Sequence, residues 1–169
     1  MQIERKQLND KESILFFSNT LQIVGTLLVT KKVAPEFGIL ENIFATQLAD
    51  TILLTKDFLY LKSISSKDLQ DLEMISLAEL DDFTGSITSI NAPTINSIEK
   101  IEIILKTIVA PFLQKDGGDI RLSQYKDNTV YVKFLGKCHG CPYAERTLKE
   151  RVEKNLIRYL PEIKEVKLI

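Results

Sequence analysis

An uncharged stretch near the middle of the chain, residues 85–96, constrains the fold more than any other feature. It contains Gly, Pro, Ser and Asn but no Asp, Glu, Lys or Arg, which is a composition typical of a linker. The stretch separates two halves of roughly 80 residues, and a chain of that length can bury a core of its own. We therefore predict two small domains, residues 1–84 and residues 97–169, joined by this linker.

The first half has the pattern of a small α+β domain. Runs of apolar and β-branched residues predict four strands, and apolar residues at helical spacing predict helices. The predicted strands are residues 13–17, 21–30, 51–55 and 58–64, and the predicted helices are residues 36–46 and 66–80.

The second half is predicted to have the order helix, strand, strand, helix, strand, which is an α+β fold with a three-stranded sheet and two helices. Two sets of apolar residues recur at three- and four-residue steps and predict the buried faces of the helices. The first set is Ile98, Ile101, Leu105, Ile108 and Phe112, and the second is Leu148, Val152, Leu156 and Tyr159. Pro111 should loosen the last turn of the first helix, and Pro161 should stop the second.

Alternating apolar and polar residues predict the strands of this half. Ile120 and Leu122 alternate with polar residues, and so do Val130, Val132 and Phe134. Residues 126–128 lie between these two strands and predict a hairpin turn. Residues 166–169 predict the last short strand.

The charge of the chain argues against nucleic acid or an anionic membrane as a partner. Lys and Arg number 22 and Asp and Glu number 23, so the formal net charge is -1. The N-terminal residues mix both charge signs, and no apolar run approaches the roughly 18 residues that a membrane helix needs. We expect a cytoplasmic protein, in which two cysteines indicate metal binding or redox chemistry rather than a structural disulfide.

Both cysteines lie in one short segment, Cys138-His139-Gly140-Cys141-Pro142. The segment should join a strand to a helix whose first turn contains Pro142. Backbone N–H groups at that helix start, together with the cation of Lys137, favour the thiolate form, which is the form that binds metals. Cys138 and Cys141 are therefore the candidate metal ligands.

Three kinds of chemistry use such a cysteine pair. A closed zinc site needs four ligands, and one chain offers two cysteines and one histidine, so zinc would have to be shared across a dimer in an interaction module. In a small dithiol redox protein such a motif is expected beside a βαβ-type sheet, which is larger than the three short strands predicted here. A 4Fe-4S cluster asks for one thiolate per iron, which two chains would supply. His139, between the cysteines, is expected to face solvent.

Two further charged segments are explained by their structural roles, without a ligand or a partner. Asp116-Gly117-Gly118-Asp119 is predicted to end the first helix and turn into a strand, with Gly117 or Gly118 at positive φ, because the lysine-serine pair of a phosphate loop is missing. The charges of the second helix predict a solvated face, with partner docking as the alternative. They are Glu145, Arg146, Lys149, Glu150, Arg151, Glu153, Lys154 and Arg158.

These motifs together resemble the NifU C-terminal (Nfu) domain family. The resemblance covers residues 97–169 and depends on Asp-Gly-Gly-Asp at 116–119, Cys-x-Gly-Cys-Pro at 138–142 and Thr-Leu-Lys at 147–149. Residues 1–85 resemble the Nfu N-terminal domain more loosely, chiefly in Ser-Ile-Leu-Phe-Phe at 13–17 and Asp-Phe-Leu-Tyr-Leu-Lys at 57–62. Residues 143–144 depart from the pattern, since the family often has small hydroxyl residues where Tyr143 and Ala144 stand.

The resemblance implies a carrier rather than an enzyme. It implies that a 4Fe-4S cluster is held between two subunits through Cys138 and Cys141 and is then passed to recipient apoproteins. The implied partners are those apoproteins, cluster-donating assembly proteins and a second copy of the chain. A 2Fe-2S form of the cluster stays open.

Overall fold

The part of the chain described by the computed structural model consists of helices and two β-sheets, which confirms the predicted mixed α and β composition. The described residues are 3–17, 23, 25–30, 38–81, 97–140, 142 and 144–169. The chain divides into two units, Met1–Pro93 and Thr94–Ile169. The predicted linker lies outside the described residues, so its boundaries stay a prediction. No helix within the described ranges is long and apolar enough to cross a membrane.

The first unit is built on an antiparallel sheet. Its elements are β1 (Ile3–Gln7), β2 (Glu12–Phe17), β3 (Leu27–Thr30), α1 (Gly38–Ala45), β4 (Ala49–Leu54), β5 (Phe58–Ser63) and α2 (Leu69–Asp81). The strand order is β1-β2-β5-β4-β3. Apolar side chains from the sheet and from α2, including Leu15, Ile52, Leu61 and Leu72, form the buried core. Of the predicted strand at 21–30, residues 27–30 form β3 and residues 21, 22 and 24 lie outside the described residues, while Gly25, just before β3, has φ 88°.

β1 has no counterpart among the predicted strands. Four of its five side chains are exposed, so no apolar alternation marks it in the sequence. It pairs with β2 along its whole length, and Arg5 Nε lies 2.7 Å from Glu73 Oε2 on α2. The Glu73 side chain is only 6% exposed, so Arg5 supplies the counter-charge for a buried carboxylate.

The second unit contains a smaller mixed sheet and two irregular helices. Its elements are α3 (Ser97–Ile104), a π-helical segment (Leu105–Val109), α4 (Ala110–Lys115), β6 (Gly118–Lys126), β7 (Thr129–Gly136), α5 (Ala144–Thr147), a second π-helical segment (Leu148–Glu153), α6 (Lys154–Tyr159) and β8 (Glu165–Leu168). β7 is the central strand, antiparallel to β6 and parallel to β8. Asp127 and Asn128 connect β6 to β7 with φ 51° and 60°, the type I′ turn of a two-residue hairpin, which confirms the predicted turn.

The predicted apolar face of the first helix is wrong at both ends. Ile101 and Leu105 are buried as expected, but Ile98 is 51% exposed and Phe112 is 45% exposed. Val109, outside the predicted face, is buried instead. The buried stripe therefore changes position along the helix.

The π-helical segment explains the change after Leu105, whereas Ile98, which precedes that segment, is exposed in the first turn of the helix. In a regular α-helix the ring of Pro111 would collide with the carbonyl four residues earlier, and the wider turn at Leu105–Val109 accommodates it. The irregularity therefore precedes Pro111 instead of loosening the last turn. One extra residue in a turn rotates all later side chains by about 100°. That rotation buries Leu113 and turns Phe112 to the surface.

The second helix agrees more closely with its pattern. Leu148, Val152, Leu156 and Tyr159 are all buried, and the helix ends at Tyr159 just ahead of Pro161, as predicted. Its start is different. Pro142 lies in a turn and the helix begins at Ala144, so Pro142 is not in the first helical turn.

Glu153 attaches β8 to this helix. Its Oε2 atom accepts a hydrogen bond from Lys149 Nζ at 2.8 Å and another from the backbone N–H of Val166 at 2.9 Å. Partial burial raises the pKa of Glu153, but these two hydrogen bonds and the charge of Lys149 outweigh burial and lower it. The folded protein therefore favours the ionised carboxylate.

Candidate metal centre

Cys138 lies in the turn that follows β7, and its side chain is half-buried. The antiparallel register of β6 and β7 brings Gly118, the first residue of β6, opposite Gly136, the last residue of β7. The cysteine turn therefore begins beside the point where the first helix ends and β6 begins. Cys141 lies outside the described residues, so its assignment as a ligand stays a prediction.

Gly118 provides the space that the Cys138 thiol occupies. A Cβ atom at position 118 would lie 2.0 Å from Cys138 Sγ and 3.0 Å from Cys138 Cβ. Both separations are far below the roughly 3.5–4.0 Å of ordinary heavy-atom contact. The Asp-Gly-Gly-Asp motif thus does more than end a helix, because it also forms one wall of the thiol site.

A second close approach fixes the backbone of the cysteine turn. The N–H of Lys137 donates a hydrogen bond to the carbonyl of Gly117 at 3.1 Å. Gly117 and Gly136 both have positive φ, at 77° and 60°, and a Cβ on Gly136 would lie 2.5 Å from the Gly117 carbonyl oxygen. The predicted positive φ is confirmed at Gly117. The two glycines let the segments around residues 117 and 136 of the same chain approach closely, and this close approach holds Cys138 in place.

The residues on either side of Cys138 in the chain are polar and exposed. The exposed Lys137 side chain passes over Gly117, where its Cδ would be 3.2 Å from a Cβ on that glycine. His139 is exposed, as predicted, and its backbone N–H donates to the Gly136 carbonyl at 3.1 Å. The half-buried Cys138 therefore lies between two exposed residues, one of them a cation, in a turn that a partner can reach.

The thiol site is incomplete by itself. Among the described residues, which leave out Cys141, no three His, Cys, Asp or Glu side chains converge closely enough to hold a metal ion. The whole chain contains two cysteines and one histidine. The donor atoms fit a soft metal that prefers thiolate, but further ligands are needed to complete any centre.

A small α+β unit that presents a cysteine turn against a glycine pair has the features of a NifU-like domain. The family model with that description matches residues 101–167. The chain is 31% identical over 134 residues to the Fe/S biogenesis protein NfuA of Sodalis glossinidius, an alignment covering 73% of this chain and 69% of that protein. It is 32% identical over 131 residues to NfuA of Pseudomonas aeruginosa, covering 72% of this chain and 66% of the relative.

The chain belongs to the NifU/Nfu family. A similar match, 30% identical over 134 residues, is found to the Fe/S biogenesis protein NfuA of Pectobacterium carotovorum and covers 73% of this chain and 69% of that protein. These matches are longer than the second unit, Thr94–Ile169, so they extend into the first. The predicted family membership is confirmed.

Proposed function

We propose that this chain is an iron-sulfur cluster carrier, which holds a 4Fe-4S cluster between two copies of itself and passes it to recipient apoproteins. The observation that carries the proposal is the Cys138 thiol, which contacts Gly118 and lies in a surface turn beside Lys137. The Fe/S biogenesis role in the names of the relatives supports the same cargo. The cluster is cargo here, and the chain acts as a carrier rather than as a catalyst.

The ligand count favours a shared cluster. A 4Fe-4S cube takes one thiolate per iron, and each chain has only Cys138 and Cys141. Two chains related by a two-fold axis would bring four thiolates together. A cluster held between subunits can leave when the two chains separate, which suits a carrier. A 2Fe-2S cluster would use the same four thiolates and is the second form of cargo to consider.

The surroundings of Cys138 suit a negatively charged thiolate cluster. Lys137 is an exposed residue of the same turn, and its positive charge would offset part of the negative charge. Gly118 leaves room for the Cys138 thiol, which a Cβ at that position would displace. Cluster-donating assembly proteins would load this site, recipient apoproteins would unload it, and we expect both steps in the cytoplasm.

Anaerobic reconstitution with iron and sulfide tests the proposal. We expect about four irons and four sulfides per dimer, and a shift from monomer to dimer in size-exclusion chromatography on loading. Cys138→Ser and Cys141→Ser should each abolish loading. His139→Ala is the matched control from the same turn and should load normally, because His139 is exposed.

The same experiment separates the alternative functions. Zinc bound without sulfide would indicate an interaction module, and reduction of disulfide substrates without any metal would indicate a dithiol redox protein. Two irons and two sulfides per dimer would establish a 2Fe-2S carrier. If Cys141→Ser keeps a full cluster, the ligand assignment is wrong.

A further inference from the structure

A groove runs between the two helices of the second unit, starting near the cysteine turn. Two adjoining cavities of about 460 Å³ and 820 Å³ form it, and Phe112, Glu150 and Arg151 line both. Asp116 lines the first of these cavities and is two residues before the glycine that contacts Cys138. We call this surface the helix groove. The Asp116 end of the groove therefore leads along the chain to the glycine that contacts Cys138.

Phe112 is the apolar centre of the helix groove. It is 45% exposed, because the π-helical segment turns it away from the core. The Arg151 guanidinium carbon lies 5.4 Å from the ring centroid and Lys115 Nζ lies 5.8 Å from it. Aromatic rings and arginines of this kind are enriched at the centres of protein interfaces. The surface thus combines an anchor for an apolar side chain with flanking positive charge.

The charge around Phe112 is basic in a chain that is nearly neutral overall. Five cationic side chains line the helix groove, against two carboxylates, Asp116 and Glu150. The cations are Lys115, Arg146, Arg151, Lys154 and Arg158. Glu150 is paired with Arg146 at 2.9 Å, so these two charges offset each other and four cations remain against the carboxylate of Asp116. The formal net charge of the whole chain is -1, so this surface differs in sign from the rest.

We propose that the helix groove docks an acidic amphipathic segment of the recipient apoprotein. An apolar side chain of that segment packs on Phe112, and its carboxylates face Arg151 and the neighbouring cations. The proposal rests on the carrier function above, because docking beside Cys138 would bring the recipient's own cysteines to the cluster. The carboxylate of Asp116, which is not part of the Glu150 ion pair, disfavours the continuous phosphate backbone of a nucleic acid.

A labelled peptide tests the docking proposal on the full chain. The probe is a fluorescein-labelled helical peptide of about three turns, with glutamates on one face and leucine and phenylalanine on the other. We expect saturable binding by fluorescence anisotropy that weakens as salt is added. Arg151→Glu should weaken binding by about tenfold or more, because it reverses a charge at the centre of the groove. Phe112→Ser should weaken it similarly, and both should slow cluster transfer to the apo form of an acidic ferredoxin.

Two controls keep these outcomes interpretable. Lys133→Glu makes the same change of charge at an exposed position on β7, outside the groove, and should leave peptide binding unchanged. Because Phe112→Ser could disturb folding, Arg151→Glu, at an exposed position, carries the test independently. Cluster loading is measured on the unaltered chain and on each variant. If the unaltered chain loads a cluster normally but does not bind the peptide, only the docking proposal is refuted. If the unaltered chain does not load a cluster, the carrier proposal is refuted.

Other occupants of the groove would overturn the proposal. Equal binding of a peptide with lysine in place of glutamate would exclude charge recognition. Displacement of the peptide by a single-stranded oligonucleotide at lower concentration would indicate nucleic acid. Concentration-dependent NMR shifts centred on Phe112 in the chain alone would indicate self-association through the groove. Undiminished binding to Arg151→Glu would place the peptide elsewhere.

Discussion

Gly118→Ala would show whether the thiol site is built as the structure indicates. The added methyl carbon would lie 2.0 Å from Cys138 Sγ and 3.0 Å from Cys138 Cβ. Ordinary contact requires about 3.5–4.0 Å, so the sulfur must move by about 1.5–2 Å or the ends of β6 and β7 must separate. A rotation of the Cys138 side chain is the smaller of these changes. It would, however, remove the thiolate from the position in which we expect it to bind a cluster.

The expected size of the effect follows from this overlap. Position 118 is not among the glycines with positive φ, so alanine brings no backbone strain and the whole cost is steric. Overpacking of this kind costs about 1–3 kcal/mol. In a domain of this size, each kcal/mol lowers the Tm by about 4–8 °C. Removal of the sulfur in the Cys138→Ala background should recover much of the loss, giving strong coupling in a double-mutant cycle.

The assay combines thermal unfolding of the full chain by circular dichroism with anaerobic cluster loading. Gly140→Ala is the matched control, because Gly140 has φ 71° but a Cβ there meets nothing within 4 Å. It should cost about 1–2 kcal/mol through backbone strain, and this cost should not depend on whether position 138 is cysteine or alanine. The reasoning fails if Gly118→Ala keeps both its Tm and its full cluster, or if its penalty is undiminished in the Cys138→Ala background.

Three further predictions concern stability. Asn128→Val should destabilise the hairpin by about 1–2 kcal/mol in urea unfolding, because a β-branched residue disfavours φ 60°, whereas Asn128→Gly should be tolerated. Arg5→Ala should cost about 1–3 kcal/mol by leaving the Glu73 carboxylate buried without its ion pair, and an added Glu73→Met should restore much of it. Glu153 has a lowered pKa in the folded protein, so its stabilisation is complete above the ordinary value of 4.5 and is lost as the pH falls through the lowered value. Glu153→Gln should therefore weaken unfolding stability at pH 7 and flatten its acid dependence, whereas unchanged pH profiles would contradict the Lys149 and β8 contacts.

Elements with a clear apolar period could be predicted from the sequence. The face of the second helix is correct at Leu148, Val152, Leu156 and Tyr159, because burial of those residues sets the helical phase. β1 lacked any such signal, since it is an exposed edge strand attached through Arg5 to a residue on α2. A contact between residues 68 positions apart leaves no local periodicity to detect.

The candidate site divides in the same way. Two features could be predicted from short motifs: Cys138 lies in a loop after a strand, and Gly117 has positive φ. The contact between Gly118 and the thiol depends on the register of β6 against β7, which pairs Gly118 with Gly136. The two motifs belong to one site only when that register is known.

Phe112 shows how one irregular turn can change both packing and surface chemistry. A regular helix would place it on the stripe that contains Ile101 and Leu105, and the sequence pattern predicted that arrangement. Pro111 is incompatible with the hydrogen bonds of a regular α-helix. The π-helical segment that accommodates it buries Leu113 instead of Phe112. The exposed ring then lies between Lys115 and Arg151. The same proline that disturbs the helical period therefore produces the apolar centre of the groove in which we propose that recipients dock.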